Sequence, residues 1–188
     1  MTRIFPTLLL ATVAATPQAW NTLPHESAIV FSGTQAGGTF EGWLPAFTGS
    51  GCFDPADPKG ASGKFIFDLS RATTGVRERD EIMRAPEWLD TAKFPQAIFA
   101  VSGVKLVGDN AYEAEGVLTL KGKERPFTVP FATAGEGRFL GLKGRVAFDR
   151  RDFNVGEGEW GESEKWVGFQ ISVDFQITSA KGRAECKP

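Results

Sequence analysis

The segment Lys165–Thr178, KWVGFQISVDFQIT, alternates almost without error between apolar and polar residues. From Val167 onward every odd-numbered position is apolar, and from Gly168 onward every even-numbered position is small or polar. Successive side chains of a β-strand point to opposite faces of a sheet. The pattern therefore predicts a strand with one face in a core and the other in water.

Seven other segments also have strand character, and glycine-rich or polar turns separate most of them. With the last strand included, the predicted strands are Ala28–Ser32, Gly37–Thr48, Gly63–Ser70, Ala97–Val107, Ala111–Lys121, Arg125–Thr133, Arg138–Asp149 and Lys165–Thr178. The short links between the later strands indicate hairpins. We therefore predict an all-β fold, an eight-stranded up-and-down antiparallel barrel, because closure removes exposed strand edges.

One charged segment, Thr73–Phe99, interrupts the strands between the third and the fourth. A helix is predicted from about Val76 to Ala85, capped by Thr73 or Thr74 and ended by Pro86. The side chains predicted to face the barrel are Val76, Ile82, Met83, Trp88 and Leu89, and those predicted to face water are Glu78, Arg79, Glu81 and Arg84. A single helical insertion in an all-β pattern is typical of a cover over a barrel mouth or a cleft.

The interior is predicted to be rich in phenyl rings, since the chain has 16 Phe and 5 Trp but one Tyr. The candidates that point inward, where they would contact a ligand, are Phe31, Phe40, Phe65, Phe67, Phe99, Leu118, Phe127, Phe131, Phe148, Phe169, Ile171 and Phe175. An eight-stranded barrel is wide enough either to be filled by side chains or to hold one small ligand. Small residues at Gly42, Ala46, Ala97, Gly116 and Gly168 would leave room, so the residues alone leave both interiors open.

The sequence offers no catalytic constellation. It has no G-x-S-x-G motif, and a Ser-His-Asp triad would depend on His25, the single histidine of the chain. This single histidine and the absence of paired cysteine spacing argue against a metal site. A formal net charge of −2 argues against nucleic acid as a partner, because phosphate binding needs a basic surface. We predict no catalysis, no metal and no cofactor.

Residues 1–19 have the pattern of an export signal, with Arg3, an apolar run at 4–15 and small residues after it. The apolar run is too short to span a bilayer. Cleavage after Ala15 and cleavage after Ala19 both stay open, and an uncleaved anchor is the alternative. The barrel domain is predicted at residues 20–188.

Export would place the two cysteines of the chain, Cys52 and Cys186, in an oxidising compartment. Two cysteines without a third suggest one disulfide, which would tie the C-terminal tail to the second strand. The alternative is a pair of free thiols too far apart to bridge.

Four separated segments resemble one known family. They are HESAIVFSGTQAGGTFEGWLPAFTGSGCFDP at 25–55, RERDEIMRAPEWLDTAKFPQAIF at 77–99, YEAEGVLTLKGKERPFTVPF at 112–131 and FDRRDFNVG at 148–156. In this order they resemble the YceI-like family, a family of secreted, lipocalin-like barrels that hold long apolar lipids such as polyisoprenoids. The resemblance covers about His25 to Thr178. It implies a lipocalin-like barrel here, with a bound isoprenoid or quinone-like lipid as its ligand.

The chain departs from the family at one point. Many members carry a histidine after the first strand, where this chain has Thr34 and Gln35, so a role of that histidine with a head group does not carry over. The form FSGTQAG at 31–37 instead resembles the variant of the domain found beside membrane cytochromes of the b561 type. This likeness implies a functional link to such a cytochrome. A homodimer is also left open.

Arg79 lies where the helical segment would meet the barrel mouth. Our hypothesis is that Arg79 or Arg77 contacts the polar head group of the lipid, and the alternative is a surface pair of Arg79 with Asp80. Together these features predict a periplasmic protein that binds a long apolar lipid and does no chemistry on it. The alternative, from another class, is a stress-related structural or protein-interaction domain with a filled core.

Overall fold

The computed structural model describes residues 17–135, 137–183 and 186. Within them, ten strands form one antiparallel sheet. The strands are β1 (Ala19–Thr22), β2 (Ala28–Gln35), β3 (Gly38–Trp43), β4 (Phe47–Cys52), β5 (Ser62–Asp68), β6 (Gln96–Gly108), β7 (Ala111–Leu120), β8 (Lys123–Ala134), β9 (Phe139–Asp149) and β10 (Gln170–Lys181). Two helices, α1 (Arg77–Arg84) and α2 (Glu159–Glu162), lie between strands. Among these residues no helix is long and apolar enough to cross a membrane.

The sheet closes into a barrel with eight strand positions around its wall. The strands from β5 to β10 occupy six of them, each paired with the next along the chain. The other two positions are each built from two strands in line. β1 and β2 both pair with β10, while β4 pairs with β1 and β3 pairs with β2. The predicted eight-stranded antiparallel barrel is confirmed.

Three departures from the predicted strands are the largest. Ala19–Thr22, which is not among the predicted strands, forms β1 and supplies the partner that closes the ring between β4 and β10. The single strand predicted at 37–48 is two strands, β3 and β4. The last strand begins late, at Gln170, because the backbone carbonyls at 167 and 168 bind the Arg150 side chain instead of a neighbouring strand. The predicted signal peptide at 1–19 lies almost wholly outside the described residues.

The two ends of the barrel are covered differently. One end, which we call the mouth, carries the β2–β3 turn, residues 69–95 with α1, the β7–β8 turn and residues 150–169. The opposite end, which we call the closed end, carries the β4–β5 loop and the C-terminal residues. There the rings of Phe53, Tyr112 and Phe131 contact one another, with centroids 5.3 to 6.0 Å apart. Aromatic side chains therefore fill the closed end.

Helix α1 forms where it was predicted, but its N-terminus is not capped as expected. Val76 takes the N-cap position and makes no side-chain cap. The hydroxyls of Thr73 and Thr74 donate instead to the carboxylate of Asp80, one turn inside the helix. The prediction failed because the threonine oxygens accept from the amides of Gly75 and Val76, which precede the helix, and not from the helix amides.

The side chains of the insertion follow the predicted facing only in part. Met83, Trp88 and Leu89 line the barrel interior. Ile82 touches the interior but is 52% exposed, and Val76 is 43% exposed. The prediction that Ile82 faces the barrel agrees with the structure, whereas the same prediction for Val76 is wrong, because α1 lies at the rim of the mouth.

Candidate functional site

An apolar cavity of about 360 Å³ lies inside the barrel. Its wall takes side chains from all ten strands, from α1 and from residues 150–169. The cavity runs from Arg79 and Ile82 at the mouth to Phe53 near the closed end. Its volume lies within the range of roughly 300–1,000 Å³ that is usual for ligand pockets. The described barrel is therefore not filled by its own side chains.

The residues predicted to contact a ligand are largely brought together in this wall. Those that line the cavity are Phe31, Phe40, Phe65, Phe67, Arg79, Phe99, Leu118, Phe127, Phe131, Phe148, Ile171 and Phe175. Phe169 does not line it, and its predicted inward direction is corrected here. Its ring packs against the guanidinium groups of Arg150 and Arg151, which lie 5.2 and 3.6 Å from the ring centroid. Phe169 precedes the first residue of β10, so the strand pleat does not fix its direction.

Several wall residues were missed by the sequence interpretation. Leu140, Leu142 and Val146 on β9 belong to the same apolar alternation as Phe148. This alternation would have been enough to predict that they face inward. Trp20 and Phe53 also line the cavity. The indole N–H of Trp20 donates to the backbone carbonyl of Phe53 at 2.8 Å. Both lie in short segments without a clear strand pattern, so no comparable signal marked them.

Arg79 is one of two charged residues that the described part of the chain contributes to the wall. Its Nε donates to Oε1 of Gln35 at 2.9 Å, and its guanidinium lies 5.5 Å from the centroid of the Phe40 ring. Among the described residues, its two Nη groups have no hydrogen-bond partner and it forms no pair with Asp80. Arg79 thus joins α1 to the β2–β3 hairpin across the mouth and keeps donors free.

Asp80 holds the segment that leads into α1. It is 7% exposed, and its carboxylate accepts hydrogen bonds from Thr73 Oγ1, Thr74 N and Thr74 Oγ1 at 2.6 to 2.7 Å. Burial by itself raises the pKa of this carboxyl, but the hydrogen bonds from the threonines and the charge of Arg84 outweigh it. The pKa of Asp80 therefore lies below its ordinary value.

Arg150, the other charged wall residue, is 1% exposed. Its side chain donates five hydrogen bonds of 2.5 to 3.2 Å, to the backbone carbonyls of Val155, Gly156, Trp160, Val167 and Gly168. A guanidinium has five N–H donors, so none is left for a ligand. Burial lowers the pKa of Arg150 from its ordinary value. Of its charged neighbours in the chain, Arg151 pairs with Asp149.

Lys121, in the β7–β8 turn, binds this turn to the end of the helical insertion and to residues 154–157. It is 7% exposed, and its Nζ donates to the carbonyls of Glu87 and Asn154 and to the carboxylate of Glu157. The hydrogen bond from Lys121 holds the pKa of Glu157 below its ordinary value. The turn, the end of the helical insertion and residues 154–157 are thereby joined.

Cys52 and Cys186 form a disulfide at the closed end, with Cα atoms 5.7 Å apart. The bond ties the tail to the end of β4, next to Phe53. Backbone hydrogen bonds from Phe53 N to Gln18 O and from Gly182 N to Ala19 O hold the same region together.

The cavity can desolvate an apolar molecule but offers few groups for a reaction. Besides the two arginines, its polar residues are small hydroxyl side chains and Gln35, together with the disulfide-bonded Cys52. In the described ranges, no three side chains of His, Cys, Asp or Glu come together as a metal site would require.

Comparison with known proteins identifies relatives of this chain. The model of the YceI-like domain matches residues 20–179. Protein YceI from Escherichia coli is 30% identical over 143 residues, which cover 73% of this chain and 72% of that protein. A UPF0312 protein from Azotobacter vinelandii is 29% identical over 134 residues, which cover 68% and 69% of the two chains.

Solved structures share the fold. BcnA from Burkholderia cenocepacia superposes with a TM-score of 0.80 at 28% identity, over 84% of this chain and 98% of that one. A polyisoprenoid binding domain from Saccharophagus degradans superposes with a TM-score of 0.68 at 16% identity, over 88% and 99% of the two chains. The family model covers most of the barrel, from β1 into β10. The chain therefore belongs to the YceI-like family.

Proposed function

We propose that this protein binds one long apolar lipid, a polyisoprenoid, a quinone or a similar molecule, inside the barrel and does no chemistry on it. The observation that carries the proposal is the 360 Å³ apolar cavity, which runs along the barrel where a stable fold alone would favour a packed core. The S. degradans barrel of the same fold is a polyisoprenoid binding domain, which makes isoprenoids the first ligands to try.

Hydrophobic burial supplies enough free energy for this role. Each buried methylene contributes about 0.8 kcal/mol, so a chain of about fifteen carbons offers on the order of 10 kcal/mol before ordering costs. A site of this kind must exclude water and match the shape of the ligand, and it needs few polar contacts. The near absence of charged groups in the wall supports binding rather than catalysis.

Arg79 is the group that we propose to meet the polar head of the lipid. It lies at the mouth, its side chain reaches the cavity wall, and its Nη donors are unpaired among the described residues. Arg77 is the weaker candidate, because its guanidinium pairs with Glu78 and Glu81 on the exposed side of α1. A phosphate, hydroxyl or carbonyl oxygen could each accept a hydrogen bond from Arg79.

The test is a binding titration with two matched variants on β6. Ala97 lines the cavity, whereas Ala100 points outward and is exposed. Affinity for farnesol, a fifteen-carbon prenyl alcohol, is measured by displacement of the fluorescent probe N-phenyl-1-naphthylamine. We expect saturable binding to the wild type, a loss of at least tenfold for Ala97→Phe, and a change below twofold for Ala100→Phe.

Two results would contradict the proposal. One is the absence of saturable binding to the folded wild type by farnesol, by longer prenols and by quinones. The other is equal binding by both variants, because a ligand held inside the barrel must compete with a ring added there. Either result would favour the structural or protein-interaction domain, whose partner would then be sought among proteins.

We also propose that the protein is exported to the periplasm. The N-terminal pattern supports this, and a disulfide persists in an oxidising compartment. Of the two cleavage positions, the one after Ala15 agrees better with the barrel. Gln18 and Ala19 accept backbone hydrogen bonds from the closed end, and Ala19 is 5% exposed. N-terminal sequencing of protein from the periplasmic fraction tests both points. We expect Thr16 as the first residue, and a start at Trp20 would contradict this choice.

A further inference from the structure

Four inward-facing phenylalanines of the wall lie opposite glycines on a neighbouring strand. In the sheet register Phe31 faces Gly42 and Phe40 faces Gly33, between β2 and β3. Phe65 faces Gly49 between β4 and β5. Phe175 faces Gly144 between β9 and β10. The same arrangement therefore recurs at separate places around the barrel.

In each of these pairs the ring occupies the space that a side chain on the glycine would need. A methyl group added at Gly42 would lie 2.7 Å from Cε1 and Cε2 of Phe31 and closer still to Cζ. At Gly49 it would lie 2.5 Å from Cδ1 of Phe65, and at Gly33 it would lie 2.9 Å from Cε1 of Phe40. Real Cβ atoms essentially never come this close to a neighbour. The rings thus lie directly over the glycine backbone.

Glycine weakens a strand interior, because it has no side chain to pack and the greatest freedom to lose. A repeated inward glycine under a phenyl ring therefore needs a reason other than strand stability. The cavity supplies one, since a ring that occupies the space above a glycine leaves more of the centre of the barrel free. With any larger residue beneath it, the same ring would have to turn toward the centre.

We infer that these glycine–phenylalanine pairs set the free width of the cavity and select a single flexible apolar chain over wider lipids. The inference rests on the proposed function and specifies the class of ligand. Molecules with two acyl chains, or with fused rings, are excluded by thickness rather than by polarity.

The dimensions of the cavity agree with this selection. On β10 the wall extends from Ile171 to Ser179, which is about 26 Å along the strand and about 20 Å along the axis of a barrel with the usual tilt. A volume of 360 Å³ spread over that length describes a long, narrow cavity, which matches the shape of one extended chain.

The test compares Gly42→Ala with Gly103→Ala and with the double variant Gly42→Ala, Phe31→Ala. Gly103 lies on β6, where an added methyl group meets nothing within 4 Å, so it controls for the loss of glycine in a strand. Farnesol and cholesterol are titrated into each folded protein. We expect Gly42→Ala to bind farnesol at least tenfold more weakly, with recovery to within threefold in the double variant. The farnesol affinity of Gly103→Ala should differ from that of the wild type by less than twofold. Only the double variant, which lacks the Phe31 ring, should bind cholesterol.

Xenon uptake, followed by ¹²⁹Xe NMR, measures the apolar cavity without any lipid and separates this inference from the proposed function. Gly42→Ala should lower uptake and Gly103→Ala should not, even if the wild type binds no lipid. Equal xenon uptake and equal farnesol binding by Gly42→Ala and the wild type would overturn the inference. Cholesterol binding by the wild type as tight as its farnesol binding would overturn it too. If Gly42→Ala does not fold, Gly49→Ala, which meets Phe65, takes its place in the same comparison.

Discussion

Two segments cover the mouth of the barrel, and they are held in different ways. Residues 150–169 fold around the buried Arg150, whose five hydrogen bonds all end on backbone carbonyls of that segment. The ends of segment 73–95 are also bound by backbone hydrogen bonds, between Thr73 and Trp43 of β3 and from residues 156–157 to the carbonyl of Glu87. Helix α1 itself reaches the β2–β3 hairpin through one side-chain hydrogen bond, from Arg79 to Gln35. Each segment places one arginine in the cavity wall, but only Arg79 keeps donors unpaired within the described residues.

Residues 150–169 are therefore a fixed part of the barrel mouth, whereas α1 is a cover that few polar contacts hold in place. The carbonyls bound by Arg150 are buried, so releasing them would leave a buried charge and several polar groups without partners, at a cost of several kcal/mol. The contact of Arg79 lies at the surface, where water replaces a lost hydrogen bond at little cost. The comparison predicts that α1 opens before residues 150–169 do. Four changes test it, from the largest expected effect to the smallest.

Replacing Arg150 by methionine should destabilise the whole domain by about 5 kcal/mol, because it leaves five buried carbonyls without donors. The measurement is chemical denaturation of the mature protein. Arg151→Met is the matched control, since its pair with Asp149 is exposed and should contribute about 1 kcal/mol or less. Similar losses for both variants would show that residues 150–169 are not held by Arg150.

Removing the disulfide with Cys52→Ser and Cys186→Ser should cost about 3–4 kcal/mol, somewhat less than the chain-entropy value for a loop of this length. Because the bond lies at the closed end and Cys52 is one wall residue among many, farnesol affinity of the folded double variant should fall much less than that of Ala97→Phe. Denaturation and titration are done on the same sample. If the double variant folds normally but loses most of its affinity for farnesol, the ligand enters at the closed end and not at the mouth.

Asp80→Asn should loosen α1 without unfolding the barrel, since a neutral amide is a weaker acceptor for the three hydrogen bonds from Thr73 and Thr74. Hydrogen exchange of the α1 amides should rise by about tenfold, which corresponds to about 1.4 kcal/mol. Glu81→Gln, on the exposed side of the same helix, is the control and should have no comparable effect.

The same carboxyl makes the cover sensitive to acid. The pKa of Asp80 in the folded protein lies below its ordinary value, so its stabilisation is complete above the unfolded pKa of about 3.9. It is lost as the pH falls from there through the folded pKa. Protection of α1, corrected for the intrinsic exchange rate, should therefore fall only below about pH 4, and Asp80→Asn should remove this step. A step near neutral pH would contradict the assignment.

Arg79→Ala should have the smallest effect on stability and act mainly on binding. We expect about tenfold weaker binding of farnesyl phosphate, about 1.4 kcal/mol, and a change below twofold for a C15 hydrocarbon without a head group. Arg77→Ala is the control on the same helix. An equal loss of affinity for both ligands would show that Arg79 helps to close the mouth and does not bind the head group.

The alternation of apolar residues was enough to predict the strands of the barrel wall and most of its inward rings. It failed where side-chain chemistry overrides the period. Phe169 continues the alternation but lies before β10, because Arg150 binds the backbone there. That Arg150 is buried could not be predicted from a run of four charged residues, since its partners are carbonyls that only the folded loop assembles.

Whether the interior is open or filled also lay beyond the sequence pattern. Period-two alternation tells which side chains point inward, but not how far a ring extends toward the barrel axis. That depends on which residue the register places opposite each ring. Gly42 beneath Phe31 and Gly49 beneath Phe65 are brought together only by strand pairing.

The most direct test of the central claim is to ask whether the natural protein carries a lipid. The protein is purified without detergent from the cells that naturally produce it, extracted with organic solvent and analysed by mass spectrometry. The account predicts one apolar, single-chain species, such as a prenyl or quinone lipid, near one molecule per barrel. An empty extract, together with no uptake of added isoprenoids by the folded protein, would contradict it.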